Sequence, residues 1–528
     1  MIRPFMFRIT FTICRLSVVG CLCLIVEPML PHDAKQINDS FAAHSEWLYS
    51  YEGKTQSLTR EEIELRFEFG KLILCLPTDE GFTFWRVKEW KAESGELVFQ
   101  VSKNFGKDSK KIEFTPRALS KTLTENINQS RQERAINIAT LSASFFPKTE
   151  IEKVGLSAGI RRGTVGRYAR IILKSFNQRI AVTTDVAQDE EINVNAFLSS
   201  SLLWFQEQQE RKKEANKLWL ILQKENIESL VRRMACLCAD LRGMISLFEI
   251  EDDILTKKQK LEIGDLWLTV PDKISQPQSN IIWETSQNIV NLAPDSIDVV
   301  RSRRGETLRF YGLPFCRVRT TMKRQRVWFG VEADKRRELN QQTLSDFDKL
   351  ISELQTHRTP ETKDKRHDYY RLASEAWLES ILRRDISRLD PGLIIAPLHA
   401  QFRPDNSKSG GARPLDLLAL RKDGRLVVIE LKTSEDREHI FQGIDYWRQI
   451  ELHRRAGNIE YSKLFRDKEI SDEPPLVYLV APLLSFHRKF KTLACMIDPQ
   501  IEIYRFDLNE DWRFGISVAR RTRINSSE

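Results

Sequence analysis

Residues 415–420 and 426–431, LDLLAL and LVVIEL, are two short apolar runs separated only by Arg421-Lys-Asp-Gly-Arg425. Runs rich in Leu, Val and Ile that flank an Asp-Gly turn read as two strands of a hairpin. The second run is apolar on both faces, with Val427, Ile429 and Leu431 on one and Leu426 and Val428 on the other. Such a strand is expected at the centre of a sheet, covered on both sides. Yet it carries Glu430 and leads into Lys432, while the first run carries Asp416. An unpaired charge buried in an apolar strand is very costly, so these groups need a compensating partner.

The turn decides whether they can share one. A two-residue turn of Asp423 and Gly424 would set Asp416 opposite Leu431, on the wrong face from Glu430. A three-residue loop of Lys422, Asp423 and Gly424, with Gly424 left-handed, pairs Arg421 with Arg425 and sets Asp416 opposite Glu430. Opposed residues share a face with Cβ atoms about 4.5–5.5 Å apart. Lys432, two residues on, lies on that face as well. Two carboxylates this close repel unless a cation sits between them. Magnesium takes oxygen ligands and keeps several waters, so it suits the pair. Lys432 beside it can orient or deprotonate a water or stabilise charge on a phosphorus centre. The set suits hydrolysis of a phosphodiester. The competing reading makes Glu430 and Lys432 a solvated edge-strand pair, which the two-faced apolar strand disfavours.

Asp, then Glu-x-Lys on the next strand, resembles the signature of the PD-(D/E)XK nuclease superfamily: Leu415-Asp416 and Glu430-Leu431-Lys432 match it. Gln442-Gly-Ile-Asp-Tyr446 resembles the QxxxY motif of the RecB-like branch. A glutamate on the preceding helix often completes the site in that family. Here the matching segment is Arg371-Leu-Ala-Ser-Glu375-Ala-Trp-Leu-Glu379, whose two glutamates fall on one helical face. Glu379 is favoured for its expected nearness to the strand, and Glu375 alternatively pairs with Arg371. The resemblance covers residues 365–525 and implies a restriction-endonuclease-like α/β fold with a central mixed sheet. The runs 476–481 and 501–506 would supply further strands. It further implies Mg2+ or Mn2+ held by Asp416, Glu430, the Leu431 carbonyl and Glu379, with Lys432 on the attacking water. Gln442 and Tyr446 would shape the site and touch phosphate. The products would carry a 5′-phosphate.

A chain of 528 residues exceeds one hydrophobic core, so several domains are expected. A mixed α/β, multidomain protein is anticipated: a leader-like segment 1–28, a small β-rich module 29–117, an α+β middle region 118–356, and the nuclease-like domain 365–528. The charge of +8 has the sign that suits a nucleic-acid partner. The 8 cysteines form no CxxC and no zinc pattern, which fits a reducing cytoplasm. Residues 1–28 conflict with that location. Arg3, Arg8 and Arg15 before the apolar run 16–26 resemble an export signal, and Val18-Val19-Gly20-Cys21 a lipoprotein box. An over-extended start, with Met29 as the first residue, is the preferred alternative.

Residues 63–69, 71–76, 82–90 and 97–101 read as strands whose aromatics are core rather than base-stacking groups. Residues 118–147 read as a helix-permissive connector. Glycines argue against a helix-turn-helix at 155–168, and 168–173 with 180–184 reads as a hairpin. Helices are expected across 194–248, including 217–247, and a strand at 266–269. Strands are expected within 297–331, where Arg301, Arg303, Arg304, Arg317 and Arg319 form a face able to track phosphates or to pair with acidic neighbours. A helix at 339–354 and a charged linker at 357–367 follow. No internal repeat and no Gly-rich phosphate loop appears, so no nucleotide cofactor is expected. The leading expectation is a cytoplasmic, metal-dependent nuclease acting on DNA rather than RNA, with a homodimer allowed for. The alternatives are a non-catalytic nucleic-acid-binding protein on the same fold, and an envelope-anchored protein whose acidic pair is structural.

Overall fold

The computed structural model describes residues 31–525 except 52–53, 69, 79–80, 94, 104–107, 117–119, 146–147, 160–164, 176–177, 188–191, 211–214, 252, 270, 272–273, 275–281, 303–304, 322–323, 333–334 and 403–414. The leader-like segment 1–28, Arg303 and Arg304 lie outside the described residues. The chain is mixed α/β with four sheets, and it divides into two compact units, residues 1–130 and 131–528. No helix among the described residues is long and apolar enough to cross a membrane.

The first unit is a helix, Pro31–Ala42, followed by a seven-stranded antiparallel sheet running from Glu46–Tyr51 to Asp108–Pro116. Phe41 from the helix packs edge-on to Trp47 and Phe114 and stacks on Phe99. The sheet aromatics Trp85 and Phe99 are therefore core, while Phe84 stays 53% exposed.

The second unit holds three sheets. The first is built from β1 (Thr149–Ala158), β2 (Val165–Ser175), β3 (Gln178–Asp185), β4 (Lys217–Gln223), β5 (Ile245–Glu251) and β6 (Ile254–Lys258). Helix α1 (Ser120–Ser144) precedes it, and its described residues Ala135, Ile138 and Ala139 pack on one face. Helix α2 (Val194–Glu210) connects β3 to β4, and α3 (Lys224–Met234) lies between β4 and β5. The hairpin expected at 168–184 forms, with Ser175 paired to Gln178. The helix expected across 217–247 does not. Its two ends are the central parallel strands β4 and β5, because Leu218–Leu222 is buried on both faces and such a short run looks alike as strand or helix. The strand expected at 266–269 is instead a 3-10 turn, Ile263–Leu268.

The last sheet orders β7 (His399–Phe402), β8 (Leu415–Leu420), β9 (Leu426–Leu431), β10 (Leu476–Pro482), β11 (Ile503–Leu508) and β12 (Val518–Arg523). Helix α4 (Ser374–Arg384) precedes it, α5 (His439–Arg455) connects β9 to β10, and α6 (Phe490–Ala494) lies between β10 and β11. In both six-stranded sheets the neighbours run antiparallel, antiparallel, parallel, parallel, antiparallel in chain order. The expectation of no internal repeat is thus overturned at the level of topology. The sequence hides the repeat because strand parity, not residue identity, is what the two halves share.

The halves meet through their helices. Phe197, Leu198 and Leu202 of α2 share one core with Ile440, Phe441 and Ile444 of α5. Each such side chain contributes about 1.5–3 kcal/mol when fully buried. The segments after α3 and α6 bond reciprocally: Cys238 N–H donates to the Met496 carbonyl and Asp498 N–H to the Cys236 carbonyl, both at 2.9 Å. Asn193, at the start of α2, donates to Glu438, at the start of α5, at 2.7 Å. This is an isologous, two-fold-like arrangement within one chain.

Between the halves in sequence lies a five-stranded antiparallel sheet from Ile297–Ser302 to Arg337–Glu338. The charged stretch 357–367 after it reads as a linker but is clamped instead. Arg358 is fully buried and donates to the carbonyls of Phe310 (2.9 Å), Tyr369 (2.6 Å), Leu372 (2.6 Å) and Tyr311 (2.7 Å). Its guanidinium also lies over the Trp377 ring. Gly312 (φ +77°) closes this junction, since a Cβ there would come 1.9 Å from the Ala376 carbonyl oxygen of α4. Both the left-handed backbone and the missing volume require glycine. Gly312→Ala is expected to lower the melting temperature by several degrees and to loosen α4. Thermal unfolding and hydrogen exchange of α4 test this, and an unchanged melting curve would contradict it.

Candidate active site

The hairpin β8–β9 adopts the three-residue loop. Arg421 N–H donates to the Arg425 carbonyl (2.9 Å), Gly424 N–H to the Arg421 carbonyl (3.0 Å), and Gly424 has φ +83°. The ladder runs from Leu420↔Leu426 to Leu417↔Ile429, and its continuation sets Asp416 opposite Glu430. Every residue of β9 is buried, so the strand is central. Glu430 is 4% exposed and Lys432 8% exposed.

Asp416 accepts a hydrogen bond from Leu431 N–H at 2.9 Å. Lys432 Nζ reaches Glu430 Oε1 at 2.9 Å and Asp436 at 3.9 Å. The lysine therefore answers one oxygen of one carboxylate. Glu430 Oε2 is buried with no hydrogen-bond partner, and so is Gln442 Oε1. Burial, with the Glu430 charge next, raises Asp416 well above the usual carboxylate range. Burial also pushes Glu430 up to about 6, against the pull of Lys432. Lys432 itself is raised: its carboxylate neighbours outweigh the burial that opposes its charge. An acidic pair that holds its protons so tightly, beside an orphaned buried oxygen, is short of positive charge. The residues present fit a hard divalent cation.

The glutamates of α4 divide. Glu379 is buried and takes a hydrogen bond from Arg309 at 3.0 Å. Arg309 is held in turn by Asp298 at 2.7 Å, which Ser380 and Arg383 of α4 also contact. The Glu379 charge still acts on Asp416. The charge of Glu375, one turn earlier, acts on Glu430 and Lys432. No ion pair joins Arg371 to Glu375 among the described residues. Nor are three or more His, Cys, Asp or Glu side chains gathered there closely enough to hold a metal unaided. The carboxylates that oppose one another across the hairpin are Asp416 and Glu430.

Gln442 and Tyr446 are buried on α5, the tyrosine within a small core with Leu418, Leu420 and Val428. Nothing in the sequence pattern pointed to His439. Its ring Nε2 lies 3.1 Å from the Glu430 carbonyl oxygen. Burial and then Lys432 push it down to about 3, so it is neutral and donates that bond. His439 thereby pins the strand end that carries the pair.

The arginine face separates likewise. Arg301 is held by Glu306 at 2.6 Å. Arg317 and Arg319 stand two apart on the strand Leu313–Thr321, with Arg326 opposite Arg319. Arg317 Nε is buried without a partner. Arg336 is lowered by burial first and then by Arg317 and Arg319, so the three cations crowd.

No family model and no curated protein matches the chain. Among solved structures the chain is similar to one described as "Structure of EndoMS in apo form", at 10% identity over 43% of this chain and 96% of that one. The TM-score is 0.14.

The raised acid has a thermodynamic consequence. Asp416 binds its proton more tightly in the folded than in the unfolded chain. Stability is therefore full below the unfolded value of about 3.9 and falls as pH rises above it. Asp416→Asn keeps the acceptor for Leu431 N–H and removes the titration. In EDTA at pH 8 it is expected to raise the melting temperature by about 2 °C or more, with the gain shrinking toward pH 4.5. Mg2+ or Mn2+ should stabilise the wild type and not the variant. Thermal scans with and without metal check both, and a variant that melts lower in EDTA at pH 8 would refute the strained pair.

Proposed function

We propose that the C-terminal domain is a metal-dependent nuclease that hydrolyses phosphodiester bonds, with DNA the favoured substrate. The observation that carries this is the Asp416–Glu430 pair, Glu430 buried and Asp416 partly so, opposed across a hairpin and left short of positive charge with Lys432 on the same face. The match of these residues, with Gln442 and Tyr446, to the PD-(D/E)XK pattern supports it.

Asp416 and Glu430 would hold Mg2+ or Mn2+, with the Leu431 carbonyl as a further ligand. A bound divalent ion supplies Lewis-acid stabilisation of the phosphate and a more acidic water. Lys432 is fixed by Glu430 and Asp436, so its ammonium points at a defined spot where it orients the attacking water and offsets charge on the phosphate. Its raised pKa keeps it protonated, which suits electrostatic stabilisation better than proton abstraction. Glu375, whose charge acts on Glu430 and Lys432, is the carboxylate of α4 that would position water. Glu379, tied to Arg309, holds the helix and adds its field to Asp416. Neutral His439 keeps the Glu430 backbone in place. Gln442 presents an unpaired amide oxygen, and Tyr446 packs beneath the strand. Arg317 and Arg319, with Arg336, offer a phosphate-binding surface on the neighbouring sheet.

Cleavage of labelled single-stranded, duplex and branched DNA, and of RNA, tests the reading. Activity is expected with Mg2+ or Mn2+ and not with EDTA. Asp416→Asn and Lys432→Ala should each lose at least about 100-fold while remaining folded by circular dichroism. Equal cleavage by the wild type and both variants would sink the assignment. Metal-independent binding without cleavage would move it to a non-catalytic nucleic-acid-binding protein.

A further inference from the structure

The parallel ladders of the two six-stranded sheets correspond rung by rung. The ladder β3–β4 pairs Ile180–Thr184 with Lys217–Ile221, and β9–β10 pairs Val427–Leu431 with Leu476–Val480. The ladder β4–β5 pairs Leu218–Gln223 with Ile245–Ile250, and β10–β11 pairs Val477–Pro482 with Ile503–Leu508. These two pairs of parallel ladders have the same number of rungs and the same phase, which fixes the match. It sets Thr183 at the place of Glu430 and Asp185 at the place of Lys432. Across the hairpin, Thr183 faces Arg170, which therefore stands where Asp416 stands.

The charges are inverted. The acid of the metal-holding pair becomes a guanidinium, and the lysine becomes an aspartate. Asp185 is answered by Arg167, bound through both of its oxygens with Nη2 to Oδ2 at 2.6 Å. Among the described residues no carboxylate forms an ion pair with Arg170, although the charge of Glu207 acts on it. Its guanidinium donates to the Ser200 hydroxyl of α2 at 3.2 Å and lies 5.4 Å from the Trp204 ring centre. Burial lowers its proton affinity, and the fields of Glu207 and Arg437 oppose one another there. Arg437 is exposed and belongs to the loop between β9 and α5 of the other half. That loop meets the start of α2 through the Asn193–Glu438 hydrogen bond.

From this we infer that the middle repeat is the non-cutting half of an internal pair, and that Arg170, with Arg437, grips a phosphate of the nucleic-acid backbone beside the cutting centre. A guanidinium at the place of a metal ligand offers a phosphate oxygen a fixed positive partner, as the cation does in the other half. The inference rests on the nuclease reading for the identity of the ligand. It goes beyond that reading in giving the repeat a binding role of its own.

Fluorescence anisotropy with labelled single-stranded and duplex DNA, in EDTA, separates binding from cleavage. Arg170→Ala is expected to weaken binding about 5- to 10-fold and to shrink the salt slope by about 0.7–0.9. Arg170→Lys should retain most of the affinity. Arg437→Glu, an exposed change that leaves the core intact, should weaken binding even where Arg170→Ala proves unstable. With Mg2+, both weakening variants should raise KM and spare kcat. Wild-type binding and KM in Arg170→Ala and Arg437→Glu would overturn the inference while leaving the nuclease intact. A wild-type protein that neither binds nor cleaves would overturn both readings.

Discussion

Two carboxylates opposed across one hairpin are the constraint to which the surrounding structure answers. Asp416 and Glu430 lie in a sheet whose central strand is wholly buried, so solvent does little to relieve their repulsion. The loop at Lys422–Gly424 fixes their register, because a one-residue slip would turn one acid to the opposite face. Lys432 neutralises one oxygen, and Leu431 N–H supports the other acid. The remaining deficit is the electrostatic opening for a cation. An apolar core on both sides of β9 is what holds the two charges together against their own preference for water.

The elements behind the hairpin act mainly on α4. Asp298 gathers Arg309, Ser380 and Arg383, and Arg309 reaches Glu379. Arg358 ties Phe310 and Tyr311 to the chain entering α4, and Gly312 lets the sheet touch the helix backbone. The five-stranded sheet is therefore a buttress as well as a charged surface. A buried ion network of this kind contributes little net stability against an apolar substitute. Its effect here is positional, since it fixes α4, from which the Glu375 charge acts on Glu430 and Lys432 and the Glu379 charge on Asp416.

What the sequence made legible was local. The turn chemistry and strand parity around Asp423-Gly424 placed Asp416, Glu430 and Lys432 correctly, because each inference spans few residues and has two discrete outcomes. The same logic found the hairpin at 168–184. It failed at Leu218–Leu222 and Ile245–Ile250, where uninterrupted apolar character carries no period to tell strand from helix. Partner choice over long separations was invisible: nothing near Glu379 in sequence announces Arg309, and nothing near Arg301 separates it from Arg317. Arginines read as one stripe divide in three dimensions according to whether an acid such as Glu306 or Asp298 stands opposite.

The internal pair explains why a repeat can be complete in space and silent in sequence. Burial requires of β3 and β9 only that apolar side chains fall on the correct faces, and many sequences meet that demand. Polar positions on the ladders carry no such demand. Their backbone geometry is nevertheless inherited from the ladders, so a residue such as Arg170 occupies a defined position whatever its charge. One frame can therefore hold an acidic pair at one end and a guanidinium at the other. The shared core of α2 and α5 keeps the two in fixed relation without either chemistry being needed for folding.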